Sequence, residues 1–342
     1  MKALIKTREG PGHLQLLDAK EPVVGPDSIL IEVAYAGICG TDLHIMRGEW
    51  KCNTPVILGH EFCGRIADIG SNITGLTKGD RVVAGNPAST CGACYHCRSG
   101  NALMCKQRIS MGYMINGAFA KYVTVGKENI HRIPDEVSLE EAALCEPLSV
   151  AVRAMTERLS IHAGDRVLVS GVGPIGLLCM AVAKAEGART ILCGMDSDER
   201  RLACGKDMSA DLTVNVEKEN VEAIVKDQTD GDGVDVAVEC AGAASSLTTC
   251  LQTVRKQGTV VQVGIYSKPF QVDFDQIVMN ELQVYGVYGY VWSSWEKSLV
   301  LLRDKRVDVK PLITHKLPLS KWKEGFENVR DGSGIKVLLQ PE

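Results

Sequence analysis

The sequence predicts an α/β protein in which a doubly wound parallel sheet is joined to a β-rich, barrel-like unit. Three observations carry that prediction. A glycine-rich turn, Gly171-Val-Gly173-Pro-Ile-Gly176, sits between an apolar strand pattern at 166–170 and a helical pattern at 174–185. From residue 165 onward apolar strand runs alternate with helical segments, the signature of a parallel sheet covered on both faces. The first third is filled instead with short β-like runs broken by glycine and proline, at 29–35, 63–69, 81–84 and 119–125.

A chain of 342 residues holds about two domains at roughly 150 residues each. With 45% apolar and 23% charged residues, it has the balance of a globular protein with a sizeable core. The N-terminal segment carries Lys2, Lys6, Arg8 and Glu9 without an apolar stretch, so no secretory signal is expected. The longest nearly apolar run, 175–183, is about half of what a membrane-spanning helix needs. A net charge of −4, spread without long runs of one sign, disfavours nucleic acid or an anionic membrane as partner. Thirteen cysteines without an export signal point to reduced thiols and a cytoplasmic protein, so clustered cysteines are read first as metal sites or packing.

Taken in order, the pattern turns helical at 138–156, where Ser138 is the N-cap and Glu141 completes a capping box. Strands follow at 166–170 and 188–193, flanking the helix 174–185, and then at 234–239, 259–263 and 281–287. A helix around 295–304 and a strand at 335–340 close the chain. The expected division is a dinucleotide domain at 148–286 inserted into a catalytic domain made of 1–147 and, by analogy of fold alone, 287–342, with a cysteine lobe at 86–110.

Three motifs carry chemistry. Cys91-Gly-Ala-Cys94-Tyr-His-Cys97, followed by Cys105, supplies four thiols that can wrap one Zn²⁺ tetrahedrally. Such a closed set leaves no open position, so the ion would be structural. In the glycine motif, Gly171 makes the tight turn, Gly173 admits a pyrophosphate and Gly176 lets helix and strand pack closely. The helix N-terminus then faces the phosphates.

Asp196, twenty residues past Gly176, is placed to bond a ribose 2′-hydroxyl and favours NAD. Met195 competes for that slot, Arg200 and Arg201 are close enough to receive the 2′-phosphate of NADP, and helix N-capping is the plain alternative for Asp196. The third motif is dispersed: Cys39-Gly-Thr41-Asp42-Leu-His44, Gly59-His60-Glu61 and Glu146-Pro147. Cysteine, histidine and a carboxylate from separate elements fit a catalytic zinc with one open position, although a buried thiol beside a satisfied histidine reads equally well from spacing alone.

With these residues in hand, the chain resembles the zinc-dependent medium-chain alcohol and polyol dehydrogenases, particularly their sorbitol and threonine dehydrogenase branch. The likeness runs from Ala36-Gly-Ile-Cys39 through the four-cysteine lobe, Glu146-Pro-Leu-Ser149, the glycine motif and Glu239-Cys-Ala-Gly242 to Gly334-Ile-Lys336-Val. It implies a GroES-like catalytic domain beside the Rossmann domain and two zinc ions per subunit. The catalytic zinc would be held by Cys39, His60 and Glu61, with Glu146 bound directly or through water and exchanging with Glu61. Asp42 would orient the ligand histidine, and Thr41 and His44 would relay the alcohol proton to solvent. Ile175 is implied near the pyrophosphate, Arg201 near the adenosine ribose, and Val263, Gly264 and Ile265 beside the nicotinamide. Lys336 is implied on the pyrophosphate.

The implied reaction is hydride transfer from a secondary alcohol, such as a polyol, to NAD, with NADP as the alternative and a homotetramer or dimer as the assembly. Threonine 3-dehydrogenase-like and butanediol dehydrogenase-like activities stay open, as do a metal-free enone reductase and a non-catalytic NAD(H) sensor.

Two departures bear on substrate. Where sorbitol dehydrogenases have an aromatic after the relay histidine, this chain has Ile45, and Gly289-Tyr290 replaces an Arg-Tyr pair. Losing the arginine removes a hydroxyl clamp, which argues against sorbitol itself. Tyr285, Tyr288, Tyr290, Trp292 and Trp295, with Trp50 and Phe119, are read as pocket, interface or core residues. The spare thiols, Cys145 among them, are read as small buried hydrophobes.

Overall fold

Alternating apolar residues set the first sheet. Along the strand Ser28–Gly37, Ile29, Ile31 and Val33 are buried while Glu32 faces outward, the period-two pattern of a sheet with one face in a core. The structure, a computed structural model, describes residues 1–266 and 268–342. The chain divides into two compact units: Met1–Glu146 with Val291–Asp304 and Ile313–Glu342, and Pro147–Tyr290 with Lys305–Leu312.

In the first unit Ser28–Gly37 is central to a seven-stranded sheet, pairing antiparallel with Glu61–Ile69, with Tyr122–Gly126 and with the C-terminal strand Lys336–Gln340. Register puts Gly37 opposite both Glu61 and Leu338, so three segments distant in sequence meet at one end of the sheet. A smaller three-stranded sheet joins Lys2–Lys6, Leu14–Asp18 and Val56–Ile57. The core beneath includes Phe119 and Phe326, edge-to-face with centroids 6.3 Å apart, a favoured aromatic geometry.

The second unit is the doubly wound sheet. Its six strands are all parallel and ordered Leu212–Asn215, Arg189–Gly194, Arg166–Ser170, Val234–Glu239, Val254–Gln262, Gln283–Gly286. In chain order that is 3-2-1-4-5-6, the Rossmann arrangement with its switch point beside the first strand. Val167, Leu168 and Val169 are fully buried, as a strand covered on both faces requires. No helix among the described residues is long and apolar enough to cross a membrane.

The expected strands and the helix Pro174–Ala185 form, while Lys2–Lys6, Leu14–Asp18, Val56–Ile57, Ile130–Arg132, Leu212–Asn215 and Ile313–Pro318 are additional. The single helix expected at 138–156 is a correction. It forms as Leu139–Ala142, then Cys145–Val152, then a π-helical turn at Arg153–Glu157. Pro147 has no N–H to donate and is tolerated only in a first turn, so a new helix starts two residues before it. The capping box itself is present: Ser138 N–H donates to Glu141 Oε2 at 2.9 Å and Glu141 N–H to Ser138 Oγ at 3.2 Å.

Asp235 ties the second sheet together, accepting from the Arg166 amide and from Arg255 Nε, both at 2.8 Å. Burial alone would raise its carboxyl, but these two donors outweigh it and hold it below the ordinary 3.8. The stabilisation is therefore present at neutral pH and fades as pH falls through and below that value. Asp235→Asn should cost about 1–2 kcal/mol at pH 7. Urea unfolding of the two proteins should show the difference shrinking below pH ~4.

Candidate metal and dinucleotide sites

The four-cysteine cluster follows from local chain geometry. Gly92 and Gly100 take positive φ, 65° and 77°, turning the chain so that its thiols converge. The Cys91–Cys97, Cys94–Cys97 and Cys91–Cys105 sulfurs lie 3.9, 3.5 and 3.6 Å apart. Four sulfurs each about 2.3 Å from one tetrahedral zinc lie about 3.8 Å from each other. The spacing thus fits the ion and is far too long for a disulfide bond. The N–H groups of Ala93 and Cys94 draw the Cys91 thiol down while its neighbour Cys94 is pushed up, so the cluster titrates as a set and favours thiolate at Cys91, the form that binds metal.

The second cluster is assembled from a helix start, a loop and two strands. Cys39 is the N-cap of the helix Gly40–Arg47, and its N–H donates to Asp42 Oδ2 at 2.9 Å. The other carboxylate oxygen, Oδ1, lies 3.9 Å from His60 Nδ1. Asp42 therefore both closes the capping box of this helix and faces the histidine. Ligand atoms of Cys39, His60 and Glu61 all fall within 4.8 Å of one another. Glu61 Oε2 accepts from Lys336 Nζ at 2.7 Å, and Lys336 also donates to the Ile38 carbonyl at 3.3 Å. Gly37 makes room for this pair, since a Cβ there would lie 2.4 Å from Glu61 Oε2.

Electrostatics explain what the second cluster lacks. Asp42, His60, Glu61 and Lys336 are at most 7% exposed. Burial pushes the Asp42 carboxyl up to about 6 against the pull of His60 and the Cys39 amide. Burial would lower His60, but the charges of Cys39, Asp42 and Glu146 raise it well above its ordinary value. Asp42 Oδ1 and His60 Nδ1 are buried without a hydrogen-bond partner, which is costly unless a further group compensates them. A soft dication bound by sulfur, imidazole and carboxylate would do so. Both donor sets fit zinc.

In the second unit Gly171 takes φ 109°, and a Cβ on it would lie 2.6 Å from the Ala241 nitrogen. A Cβ on Gly176 would lie 1.8 Å from the Gly171 carbonyl oxygen. Gly173, the N-cap of Pro174–Ala185, has open space where its Cβ would be. Two glycines are thus demanded by packing, and the third leaves a cradle at a helix N-terminus where a phosphate fits.

The chain matches the alcohol dehydrogenase GroES-like domain over residues 25–135 and the zinc-binding dehydrogenase model over 174–304. It is 38% identical to a sorbitol dehydrogenase of Halalkalibacterium halodurans over 342 residues, covering 100% of this chain and 99% of that one. The chain belongs to the zinc-dependent medium-chain alcohol and polyol dehydrogenases. A D-arabitol-phosphate dehydrogenase of Enterococcus avium is 36% identical, with 99% and 97% of the two chains covered. The crystal structure of 2R,3R-butanediol dehydrogenase from Bacillus subtilis superposes with a TM-score of 0.90 at 30% identity, covering 100% and 99%.

Within this dehydrogenase the structure brings some site residues together and leaves others apart. Thr41 Oγ1 lies 3.7 Å from Cys39 Sγ. His44 is exposed, with Nδ1 2.6 Å from Glu49 Oε2. Glu146 is near enough for its charge to act on His60 and Lys336, but the convergent ligand set is Cys39, His60 and Glu61. Lys336, implied on the pyrophosphate, has its ammonium on Glu61 instead. Asp196 is paired with Lys218 and with Asn215 Nδ2, the latter at 2.9 Å. Arg201 meets Asp198 at 3.3 Å, Ile175 is half-buried and Met195 exposed. The Val263 and Gly264 amides both donate to the Glu239 carbonyl at 2.9 Å, and Ile265 is exposed.

Ile45, Phe119, Tyr290 and Trp295 are buried core residues, whereas Trp292 is exposed. Gly37 and the Glu61–Lys336 pair were missed from sequence, where only the run Ala36-Gly-Ile-Cys39 hinted at the glycine.

Wild-type protein should carry two zinc ions per chain and Cys39→Ser one, measured by elemental analysis after dialysis. A Cys39→Ser protein with two zincs and normal turnover would refute the assignment. Asp42→Asn should weaken the second zinc by about 10–100-fold in chelator competition, the usual cost of losing a ligand's orienting partner.

Proposed function

We propose that the chain oxidises a secondary alcohol, a polyol or a related hydroxy compound, passing hydride to NAD. The observation that carries this reading is the buried Cys39, His60 and Glu61 cluster in a chain that also holds a dinucleotide loop. Zinc, when bound, supplies Lewis acidity that brings an alcohol hydroxyl towards neutral pKa, and the nicotinamide accepts the hydride.

The remaining chemistry belongs to the chain. Cys39, His60 and Glu61 would hold the ion, and Glu146 stands near as a further carboxylate. The Asp42 carboxylate favours the His60 tautomer with its proton on Nδ1, which leaves Nε2 as the ligand atom. Thr41 takes the alcohol proton and passes it towards His44, whose exposed ring and Glu49 partner deliver it to water. Gly173 and Ile175 would receive the pyrophosphate at the turn that Gly171 and Gly176 shape, Asp196 and Arg201 the adenosine ribose, and Val263, Gly264 and Ile265 the nicotinamide. Lys336 holds Glu61 in place through its ammonium.

NADP is the second reading, favoured by one observation. Lys218 and Asn215 already occupy Asp196, which lessens its repulsion of a 2′-phosphate. We place the protein in the cytoplasm, on its reduced thiols. A homo-oligomer, tetramer or dimer, fits the edge strand Gln283–Gly286 and the exposed Phe274, Val278 and Met279 beside it, because an open strand edge with apolar neighbours invites pairing.

The test is a screen of polyols, vicinal diols, threonine and sugar phosphates with NAD and NADP in parallel. The expected outcome is reduction of NAD by at least one secondary alcohol, lost on chelation and restored by zinc. Cofactor binding without turnover on any alcohol would point to a sensor.

A further inference from the structure

Besides the ligands themselves, the backbone under His60 is unusually constrained. Gly59 takes φ 93°, and a Cβ on it would lie 2.8 Å from the Phe119 nitrogen. Its carbonyl oxygen is where two more glycines converge. A Cβ on Gly112, φ 84°, would lie 2.7 Å from that oxygen, and one on Gly117 would lie 2.0 Å from it and 2.7 Å from Gly112 Cα. Neither residue is adjacent to the metal cluster in sequence. Both belong to the arm, residues 106–119, that follows Cys105, the last of the four cysteines.

The same arm is bonded to the segment that ends at His60. The N–H groups of Gly117, Ala118 and Phe119 donate to the carbonyls of Ile57, Gly59 and Leu58 at 2.8, 2.9 and 2.9 Å. In return the Ile57 N–H donates to Asn116 Oδ1 at 3.0 Å. The far end of the arm is also held: Met111 N–H donates to Asn86 Oδ1 at 2.7 Å, and Ser110 and Met111 are 1% exposed. His60 Nδ1 makes no hydrogen bond of its own, so the ring's approach to Cys39 and Glu61 depends on where residues 57–59 put its backbone.

We infer that the arm is a positioning element for His60, acting through the interlock of Gly59, Gly112 and Gly117, and that Gly117 sets the affinity of the Cys39, His60 and Glu61 site for its metal. This rests on the zinc reading proposed above. A working ligand constellation tolerates displacements of about 0.5 Å. A methyl group on Gly117, 2.0 Å from the Gly59 oxygen, must be relieved by about 1 Å or more before ordinary contact is reached. The displacement exceeds the tolerance and falls on the residue before the ligand. The four-cysteine cluster, upstream of the arm, keeps its own geometry.

The experiment loads the full-length protein with cobalt(II) or zinc. It follows chelator competition, metal content and the visible cobalt spectrum of the mixed sulfur, nitrogen and oxygen site, with circular dichroism as the folding control. Gly117→Ala should keep one tightly held metal and lose affinity for the second by at least tenfold, with an altered cobalt spectrum. Gly25→Ala, whose Cβ meets only Ser28 Oγ at 3.6 Å, should match wild type. A folded Gly117→Ala protein with wild-type second-site affinity and spectrum overturns the inference. If Gly117→Ala does not fold, Asn116→Ala decides: it removes the side-chain tether without a clash and should weaken the second site alone, whereas unchanged affinity overturns the inference. Wild-type protein holding metal only on its four cysteines would refute the zinc reading and this inference together. Two metals in wild type with an unaffected variant would refute only the inference.

Discussion

The compensation of buried charge is the constraint on which the catalytic unit depends. Asp42, His60, Glu61 and Lys336 are almost fully enclosed, and an ionised group in a protein interior costs several kcal/mol unless it is paired. Lys336 satisfies Glu61, and the Cys39 amide satisfies half of Asp42. The Cys39 sulfur, the His60 ring and the second Asp42 oxygen still converge without a sufficient positive partner. A divalent ion at that point neutralises the set and allows the His60 proton to face Asp42.

That arrangement places demands on the sheet. Glu61 and Lys336 come from strands on either side of Ser28–Gly37, and they meet only because the register sets Gly37 opposite Glu61 and Leu338. Any side chain at position 37 would occupy the space of the Glu61 carboxylate. The two metal sites therefore differ in kind. The four-cysteine site is a closed local knuckle whose donors lie within fifteen residues of sequence (91–105), while the other is a product of tertiary structure and is sensitive to every element that delivers a ligand.

The same difference decides what could be read from sequence. The cysteine lobe and the glycine turn are local, and local spacing carries their geometry directly, down to the open space at Gly173. The strand Arg166–Ser170 and helix Pro174–Ala185 were legible because a short continuous apolar run and a longer helical one flank the glycine turn. Cys39, His60 and Glu61 are joined by no spacing rule and were brought together by resemblance. The ion pair of Glu61 with Lys336 spans 275 residues and depends on strand register, which periodicity does not encode. Trp295 was ambiguous for a similar reason. Its partner is His131, stacked at 5.3 Å and 7°, and Gly85 leaves room for its indole. The break in 138–156 was foreseeable, because Pro147 sits inside the helical pattern.

The central claim is that one chain holds two zinc ions with different donor sets, one all-sulfur and closed, the other mixed and open to substrate. Zinc K-edge X-ray absorption on the fully loaded protein tests it without reference to any substrate. With four sulfurs on one ion and one on the other, the mean should be about 2.5 sulfurs per zinc near 2.3 Å, with the balance nitrogen and oxygen near 2.0–2.1 Å. A mean of four sulfurs and no light-atom shell would contradict the account, since it would leave Cys39, His60 and Glu61 without a metal.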